Sequence, residues 1–128
     1  MHQYQKAESY YKEALKIEPG NLSVYYQLIN LELNRRNLPG VKKYINEGFS
    51  IDPNDYILYA LHGDYYYRLG LNYMKEKKWN PSIEQFEEAI RIWRKTISKT
   101  NDPKWIEFAQ KGIRNAQKGI EEAKKVRW

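Results

Sequence analysis

Apolar side chains recur every three or four positions along most of this chain, with polar residues between them. In segment 22–36 the apolar residues have the spacing of one face of an α-helix: Leu22, Tyr25, Leu28, Ile29 and Leu33. Asn21 precedes them as an N-cap, and Asn-Leu-Pro-Gly at 37–40 interrupts the pattern. A second helix is predicted from about Pro39 to Asp52-Pro53, so this part of the chain forms short helices joined by tight turns.

The period lengthens in the middle of the chain, where similar residues stand seven apart. This spacing relates Tyr59, Tyr66 and Tyr73, and also Gly63 and Gly70. An added heptad lengthens a helix without rotating its buried face, so the pattern predicts one helix from about 55 to 78. The next apolar series alternates steps of three and four and predicts a helix over 81–99: Ile83, Phe86, Ile90, Trp93 and Ile97.

The C-terminal segment repeats every seven residues throughout. Two apolar series fall in step there: Ile106, Ile113 and Ile120, and Ala109, Ala116 and Ala123. Asp102 is a suitable N-cap, with Pro103 at the first helical position, so a helix is predicted over 102–126. Isoleucine and alanine at the two repeating positions indicate close packing against a neighbouring helix. The helices 55–78, 81–99 and 102–126 are therefore predicted to form an antiparallel, coiled-coil-like trio.

A repeat of 34 residues underlies the first half of the chain. Aligning Pro19 with Pro53 places Ala7 over Val41, Tyr11 over Ile45 and Ala14 over Gly48. Each pair is apolar, aromatic or small at the same offset. A fixed period of this length is typical of stacked helix pairs, each of which buries its apolar face against its neighbours.

The repeating residues resemble the tetratricopeptide repeat family. The spacing is clearest in the third unit: Tyr66, Leu69, Gly70, Tyr73, Trp79, Ser82, Phe86 and Ala89. The second unit matches more weakly: Tyr25, Leu28, Leu38, Val41, Ile45, Gly48 and Pro53. The first unit matches only through the second helix of a repeat: Ala7, Tyr11, Ala14 and Pro19. The small residue Gly70 is expected where two helices approach most closely.

The resemblance implies an all-α fold of antiparallel helix-turn-helix repeats, an α-solenoid with an extended third repeat and a long C-terminal capping helix. The chain is predicted to be one helical-repeat domain over 1–128, a fragment of a longer array. Its parts are the second helix of a truncated repeat at 1–19, a repeat at 22–53, an elongated repeat at 55–100 and the capping helix at 102–128.

Composition narrows the classes of function. Of 128 residues, 41% are hydrophobic and 30% charged, which provides enough apolar surface for a core. The net charge of +6 is spread along the chain, so nucleic-acid binding is not the first expectation. No apolar run approaches the ~20 residues of a membrane span, and the absence of cysteine excludes thiolate chemistry. A cytoplasmic location is favoured, with the periplasm possible if the parent chain carries a signal.

Catalytic residue patterns are missing from the sequence. The histidines are His2, near the terminus, and His62, which is expected to be packed on an aromatic helix face. The glycines form neither a phosphate-binding loop nor a dinucleotide fingerprint, and Glu84 and Glu88 lack a histidine or aspartate nearby to complete a metal site. The chain is predicted not to be an enzyme and to need no cofactor or metal.

The family resemblance implies a groove that binds protein or peptide, lined by the first helix of each repeat. Carried over by repeat position, the groove residues are Tyr26, Asn30, Leu33, Asn34, Asp64, Tyr67, Leu71, Met74 and Lys75. Tyrosine, asparagine and aliphatic side chains suit an extended or helical peptide. The alternative for Tyr26 and Leu33 is that they pack on a neighbouring helix.

Two other functions stay open, together with one mode of association. The chain could be an RNA-binding helical repeat, if its lysines and exposed tyrosines share one surface, or the structural end-cap of a longer array. The first helix lacks a partner helix and carries an apolar stripe: Tyr4, Ala7, Tyr11, Ala14 and Leu15. This stripe predicts self-association.

Overall fold

The computed structural model describes residues 2–127, and the predicted domain bounds at 1 and 128 lie outside them. Across the described residues the chain forms six α-helices and no β-strand: α1 (His2–Ile17), α2 (Leu22–Asn34), α3 (Leu38–Ile51), α4 (Tyr56–Lys75), α5 (Trp79–Lys99) and α6 (Pro103–Val126). This confirms the predicted all-α class, with a long α4 and a long final helix. The chain divides into two compact units, one ending at Leu58 and the next beginning at Tyr59.

Side-chain caps fix where several helices begin. Asn21 accepts a hydrogen bond from the backbone N–H of Ser23 at 3.1 Å, and Asp102 accepts one from that of Lys104 at 3.0 Å. Both caps were predicted from the sequence. An unpredicted cap is Asp55, whose Oδ2 accepts from the backbone N–H of Leu58 at 2.9 Å and so secures the first turn of α4.

Two helix ends share one backbone motif. After α2, Arg36 has φ of 58° and the N–H of Asn37 bonds to the carbonyl of Glu32 at 2.9 Å. After α4, Lys77 has φ of 60° and the N–H of Lys78 bonds to the carbonyl of Tyr73 at 2.9 Å. Both are Schellman turns with a left-handed residue that is not glycine. They lie 41 positions apart, which is the 34-residue repeat plus one heptad.

This turn also explains a correction at α4. The helix was predicted to continue to about 78, but it ends at Lys75. The left-handed Lys77 reverses the chain before α5, which begins at Trp79 rather than 81. Residues 76–78, which were predicted to be helical, therefore form a tight turn between α4 and α5.

The first unit has a core contributed by α2 and α3, with α1 packed against α2. Its buried apolar side chains include Tyr25, Leu28, Ile29, Val41 and Ile45. The predicted apolar stripe of α1 is half-buried: Tyr4, Ala7, Tyr11, Ala14 and Leu15. Self-association through it stays a prediction.

A buried carboxylate holds the end of α2 in place. Glu32 is only 2% exposed. It accepts hydrogen bonds from the Arg35 guanidinium at 3.1 Å and from the side-chain amide of Asn37. Arg35 also bonds to Glu8 of α1 at 2.8 Å. Because a buried charge is stable only when it is paired and hydrogen-bonded, this network fixes α1, α2 and the following turn together.

The second unit packs α4, α5 and α6 around two aromatic rings of α5. Phe86 has Gly70 of α4 on one side and Gly119 of α6 on the other. Trp93 lies in the same way between Gly63 and Gly112. On each of the three helices the two contacting residues are seven positions apart: Gly63 and Gly70, Phe86 and Trp93, and Gly112 and Gly119. The heptad spacing therefore brings the three helices together at two successive levels.

The order of these contacts establishes direction. Along α4 the glycines run from 63 to 70 while their aromatic partners on α5 run from Trp93 to Phe86, so the two helices are antiparallel. The same reasoning makes α5 and α6 antiparallel. Ala109, Ala116 and Ala123 are fully buried, as their heptad positions predict. The predicted trio is thus observed within this unit.

Candidate peptide-binding faces of α2 and α4

On α2, two of the predicted groove residues present unused amides to solvent. Asn30 and Asn34 are exposed and stand one helical turn apart. Within the described residues neither side chain forms a hydrogen bond. Each carboxamide offers two N–H donors and one acceptor oxygen. A peptide group offers one donor and one acceptor, so these side chains can pair with the backbone of an extended segment.

Tyr26 lies on the same helix but is occupied within the first unit. Its hydroxyl donates a hydrogen bond to Oδ2 of Asp55 at 2.7 Å, the same oxygen that caps α4. Burial of the phenol, reinforced by this hydrogen bond, raises the pKa of Tyr26 well above its ordinary value. Tyr26 therefore joins α2 to the start of α4. This is the packing alternative that the sequence left open, and Asp55 was not foreseen as a partner.

Leu33 is 5% exposed, so it is part of the interior and offers almost no surface to a ligand. Its place in the 3.6-residue period of α2, in step with Ile29, is the sequence feature that favours the core. The α2 face that is open to a partner is thus defined by Asn30 and Asn34.

On α4, the predicted groove residue Asp64 is half-buried and paired. The Nε–H of Arg68 donates to its Oδ1 at 3.2 Å. Burial raises the pKa of the Asp64 carboxyl, although the Arg68 charge and hydrogen bond act in the opposite direction. Arg68 was not among the predicted groove residues, but the spacing of opposite charges by four residues on one helix indicates such a pair. Carboxyl groups whose pKa is raised by burial are frequent at functional sites.

Tyr67 and Met74 contribute mainly to packing in the second unit. Both side chains contact the buried cluster around Phe86 and Trp93. The centre of the Tyr67 ring lies 5.5 Å from that of Phe86 and 6.0 Å from that of Trp93. Burial raises the pKa of the Tyr67 hydroxyl, with a smaller effect of the Asp64 charge. At most the edges of these side chains are available to a ligand.

Leu71 and Lys75 complete the α4 face and are accessible. Leu71 is 37% exposed, and Lys75, one turn later, is exposed at the end of the helix. Lys75 also lines an open cleft of about 460 Å³ together with Leu69, Asn72, Tyr73 and Glu76. Leu71 can therefore provide an apolar contact to a ligand, and Lys75 an ionic one.

His62 is the histidine whose side chain lies within the described residues. His62 is half-buried, with its ring 4.9 Å from that of Tyr66 and 6.3 Å from that of Tyr65, which confirms the predicted packed position. The side chain of His2 lies outside the described residues. No group of three His, Cys, Asp or Glu in the described part could hold a metal ion. No helix there is long and apolar enough to cross a membrane.

Two family models match successive parts of the chain. A tetratricopeptide repeat model matches residues 1–64, and a second tetratricopeptide repeat model matches residues 63–95. Among solved structures, the crystal structure of MamA is similar at 18% identity and a TM-score of 0.40, covering 90% of this chain and 87% of that chain. No curated protein sequence matches the chain at a significant level.

Proposed function

The chain belongs to the tetratricopeptide repeat family, whose repeats are non-catalytic and generally act as protein-interaction scaffolds, and we propose that it binds a peptide segment of a partner protein. The binding residues are Asn30 and Asn34 on α2, and Asp64, Leu71 and Lys75 on α4. The other predicted groove residues pack within their own units and hold these helices in place: Tyr26, Leu33, Tyr67 and Met74.

The observation that carries the proposal is the pair of exposed, unbonded amides on α2. Asparagine is a poor helix former because its side chain competes for backbone hydrogen bonds. Two of them one turn apart on an exposed helix face therefore cost helix stability, and among the described residues neither side chain forms a hydrogen bond that offsets this cost. Hydrogen bonds to a peptide backbone would use the donors and acceptors of both side chains.

The α4 face supports the same kind of ligand with different chemistry. Leu71 offers an apolar contact, Lys75 a cation, and Asp64 a carboxylate backed by Arg68. Spaced along one side of α4, such groups can select side chains of a bound peptide segment. We propose the elongated repeat as the source of this second face.

The test is affinity capture from a lysate of the source cells, with the chain immobilised. We compare the unchanged chain with Asn30→Ala/Asn34→Ala and with a matched control, Asn46→Ala/Asn115→Ala. The control removes two exposed helical asparagines that lie outside the proposed faces, on α3 and α6. Each capture is run with and without nuclease, and circular dichroism verifies that all variants are folded.

A captured protein that resists nuclease, survives in the control and is lost from Asn30→Ala/Asn34→Ala supports the proposal and identifies the partner. Loss of the captured material on nuclease treatment favours the RNA-binding alternative. Capture that is the same in both variants overturns the assigned faces, and failure to capture anything favours the structural end-cap.

A further inference from the structure

A basic cleft between α5 and α6 lies apart from the faces proposed above. It has a volume of about 620 Å³ and belongs wholly to the second unit. Four cations line it: Arg91, Arg94, Lys95 and Lys124. Among the lining residues that the structure describes, Glu87 is the only carboxylate, so these residues carry a formal charge of +3.

The four cations of the cleft differ in whether a carboxylate pairs with them. Arg91 is held by Glu88, its neighbour one turn earlier on α5. In the described part of the chain, Arg94, Lys95 and Lys124 form no ion pair and no side-chain hydrogen bond. Like charges that share a cleft repel one another, and low-dielectric walls strengthen the potential they create. The cleft is therefore complementary to a ligand that carries several negative charges.

The floor of the cleft is aliphatic. Ile90 is 8% exposed and Ile120 is partly buried, and both contact the core of the second unit. No aromatic side chain is among the lining residues that the structure describes. Single-stranded nucleic acids gain much of their affinity from stacking on aromatic rings, which this cleft does not offer. A ligand with both acidic and aliphatic side chains uses the cations and the floor together.

We infer that this cleft binds an acidic, aliphatic peptide segment of a partner protein, as a second interaction surface besides the faces of α2 and α4. The net charge of +6 argues against a second copy of this chain as the occupant, since two copies repel each other. Carboxylates of the segment would pair with Arg94, Lys95 and Lys124, and an aliphatic side chain would lie on Ile90 and Ile120.

The test is fluorescence anisotropy with defined probes. The main probe is a fluorescein-labelled peptide of repeated Glu-Glu-Leu triplets. The others are an all-glutamate peptide of equal length and a uridine oligonucleotide of equal charge. The cleft variant is Arg94→Glu/Lys95→Glu/Lys124→Glu. The matched control, Lys111→Glu/Lys118→Glu/Lys125→Glu, changes the total charge equally at exposed positions of α6 outside the cleft.

The Glu-Glu-Leu peptide is expected to bind more tightly than the all-glutamate peptide, and less tightly as salt rises. The cleft variant should lose about tenfold in affinity, and the control no more than about twofold. The difference between the cleft variant and its control should persist when Asn30→Ala/Asn34→Ala is added to both, which separates the cleft from the proposed function. If the cleft variant fails to fold, Arg94→Gln/Lys95→Gln/Lys124→Gln is used in its place.

Four outcomes overturn the inference. Equal loss in the cleft variant and the control would mean that overall charge alone attracts the peptide. Tighter binding of the uridine oligonucleotide, lost in the cleft variant, would make the cleft a nucleic-acid site. A dimer in sedimentation velocity that the cleft variant abolishes would make a second copy the occupant. Absence of binding to the Glu-Glu-Leu peptide also contradicts it.

Discussion

Gly70 of α4 and Phe86 of α5 are in such close contact that a Cβ atom at position 70 would overlap the ring. A Cβ atom on Gly70 would lie 2.6 Å from Cε1 and 2.7 Å from Cδ1 of the fully buried ring. The ring is not a flexible end that could move aside, because Gly119 of α6 borders its opposite edge. The hydroxyl of Ser82 donates to the Gly70 carbonyl at 2.9 Å and ties the helices at the same level.

Gly70→Ala is therefore expected to destabilise the chain. Overpacking of a core costs about 1–3 kcal/mol, and the higher helix propensity of alanine recovers up to about 1 kcal/mol. A net loss of about 1–2 kcal/mol in the free energy of unfolding should appear in urea denaturation. Gly20→Ala is the control, since a Cβ there meets nothing within 4 Å, and its effect should stay within about 0.5 kcal/mol.

A smaller side chain at position 86 should relieve this clash. Phe86→Leu alone leaves space in the core and destabilises the chain, but it removes ring atoms that a Cβ at position 70 would meet. The double variant Gly70→Ala/Phe86→Leu is expected to be more stable than the sum of the single effects predicts, by at least about 0.5 kcal/mol. Strict additivity in the double-mutant cycle would show that the two residues do not limit each other.

Tyr26→Phe tests the bond that joins α2 to the start of α4. The substitution keeps the ring but leaves Asp55 with the Leu58 N–H alone, so the free energy of unfolding should fall by about 1–2 kcal/mol. Tyr10→Phe, at a tyrosine that is 71% exposed, is the control and should change little. Equal effects of the two substitutions would remove the structural role of the Tyr26 hydroxyl.

Asp64→Asn tests the cost of the half-buried carboxylate through its pH dependence. Burial raises the folded-state pKa of Asp64 above its unfolded value. Its contribution to stability is therefore fully present below the unfolded pKa of about 4. This contribution is lost as pH rises through the folded pKa. Asparagine does not titrate, so the melting temperature of Asp64→Asn relative to the unchanged chain should increase between about pH 3 and pH 7.

The control for this experiment is Glu84→Gln, which removes an exposed carboxylate that has no ion pair among the described residues. The pH trend of Asp64→Asn is judged against the trend measured for this control. A difference for Asp64→Asn that decreases as pH rises would mean that Arg68 outweighs the effect of burial.

Lys77→Gly should stabilise the turn between α4 and α5. Lys77 has φ of 60°, a left-handed conformation that strains a residue with a Cβ and that glycine adopts freely. We expect a gain of about 0.5–1 kcal/mol in the free energy of unfolding, after allowing for the greater unfolded-state entropy of glycine. The same exchange in the middle of α6, Lys118→Gly, should cost about 1 kcal/mol. A loss of stability at Lys77 would contradict the assigned turn geometry.

Much of the helical layout could be predicted from periodicity, because buried positions repeat at the helical period wherever two helices pack. The heptads at Gly63 and Gly70 and at Ala109, Ala116 and Ala123 led directly to the trio of α4, α5 and α6. Which ring meets which glycine could not be predicted, since the relative shift of two helices depends on how the side chains interlock. The predicted end of α4 was wrong because no glycine or proline in the sequence indicates the left-handed conformation of Lys77.

The candidate binding residues were less predictable for a related reason. Repeat position assigns a residue to a side of the helix, but not to a depth. Asn30 and Asn34 are exposed, while Leu33 is buried and Tyr67 packs on Phe86 and Trp93. The role of Tyr26 depends on Asp55, which is 29 residues away in the chain and cannot be inferred from the pattern around Tyr26.

The most direct test of the proposed binding faces is site-specific photocrosslinking in cell lysate. Asn34 or Leu71 is replaced by the photoreactive amino acid p-benzoylphenylalanine, and the same amino acid is placed at Asn46 or Asn115 for comparison. We expect one discrete protein adduct from positions 34 and 71, insensitive to nuclease and absent from positions 46 and 115. Adducts from the comparison positions with none from 34 and 71 would contradict it.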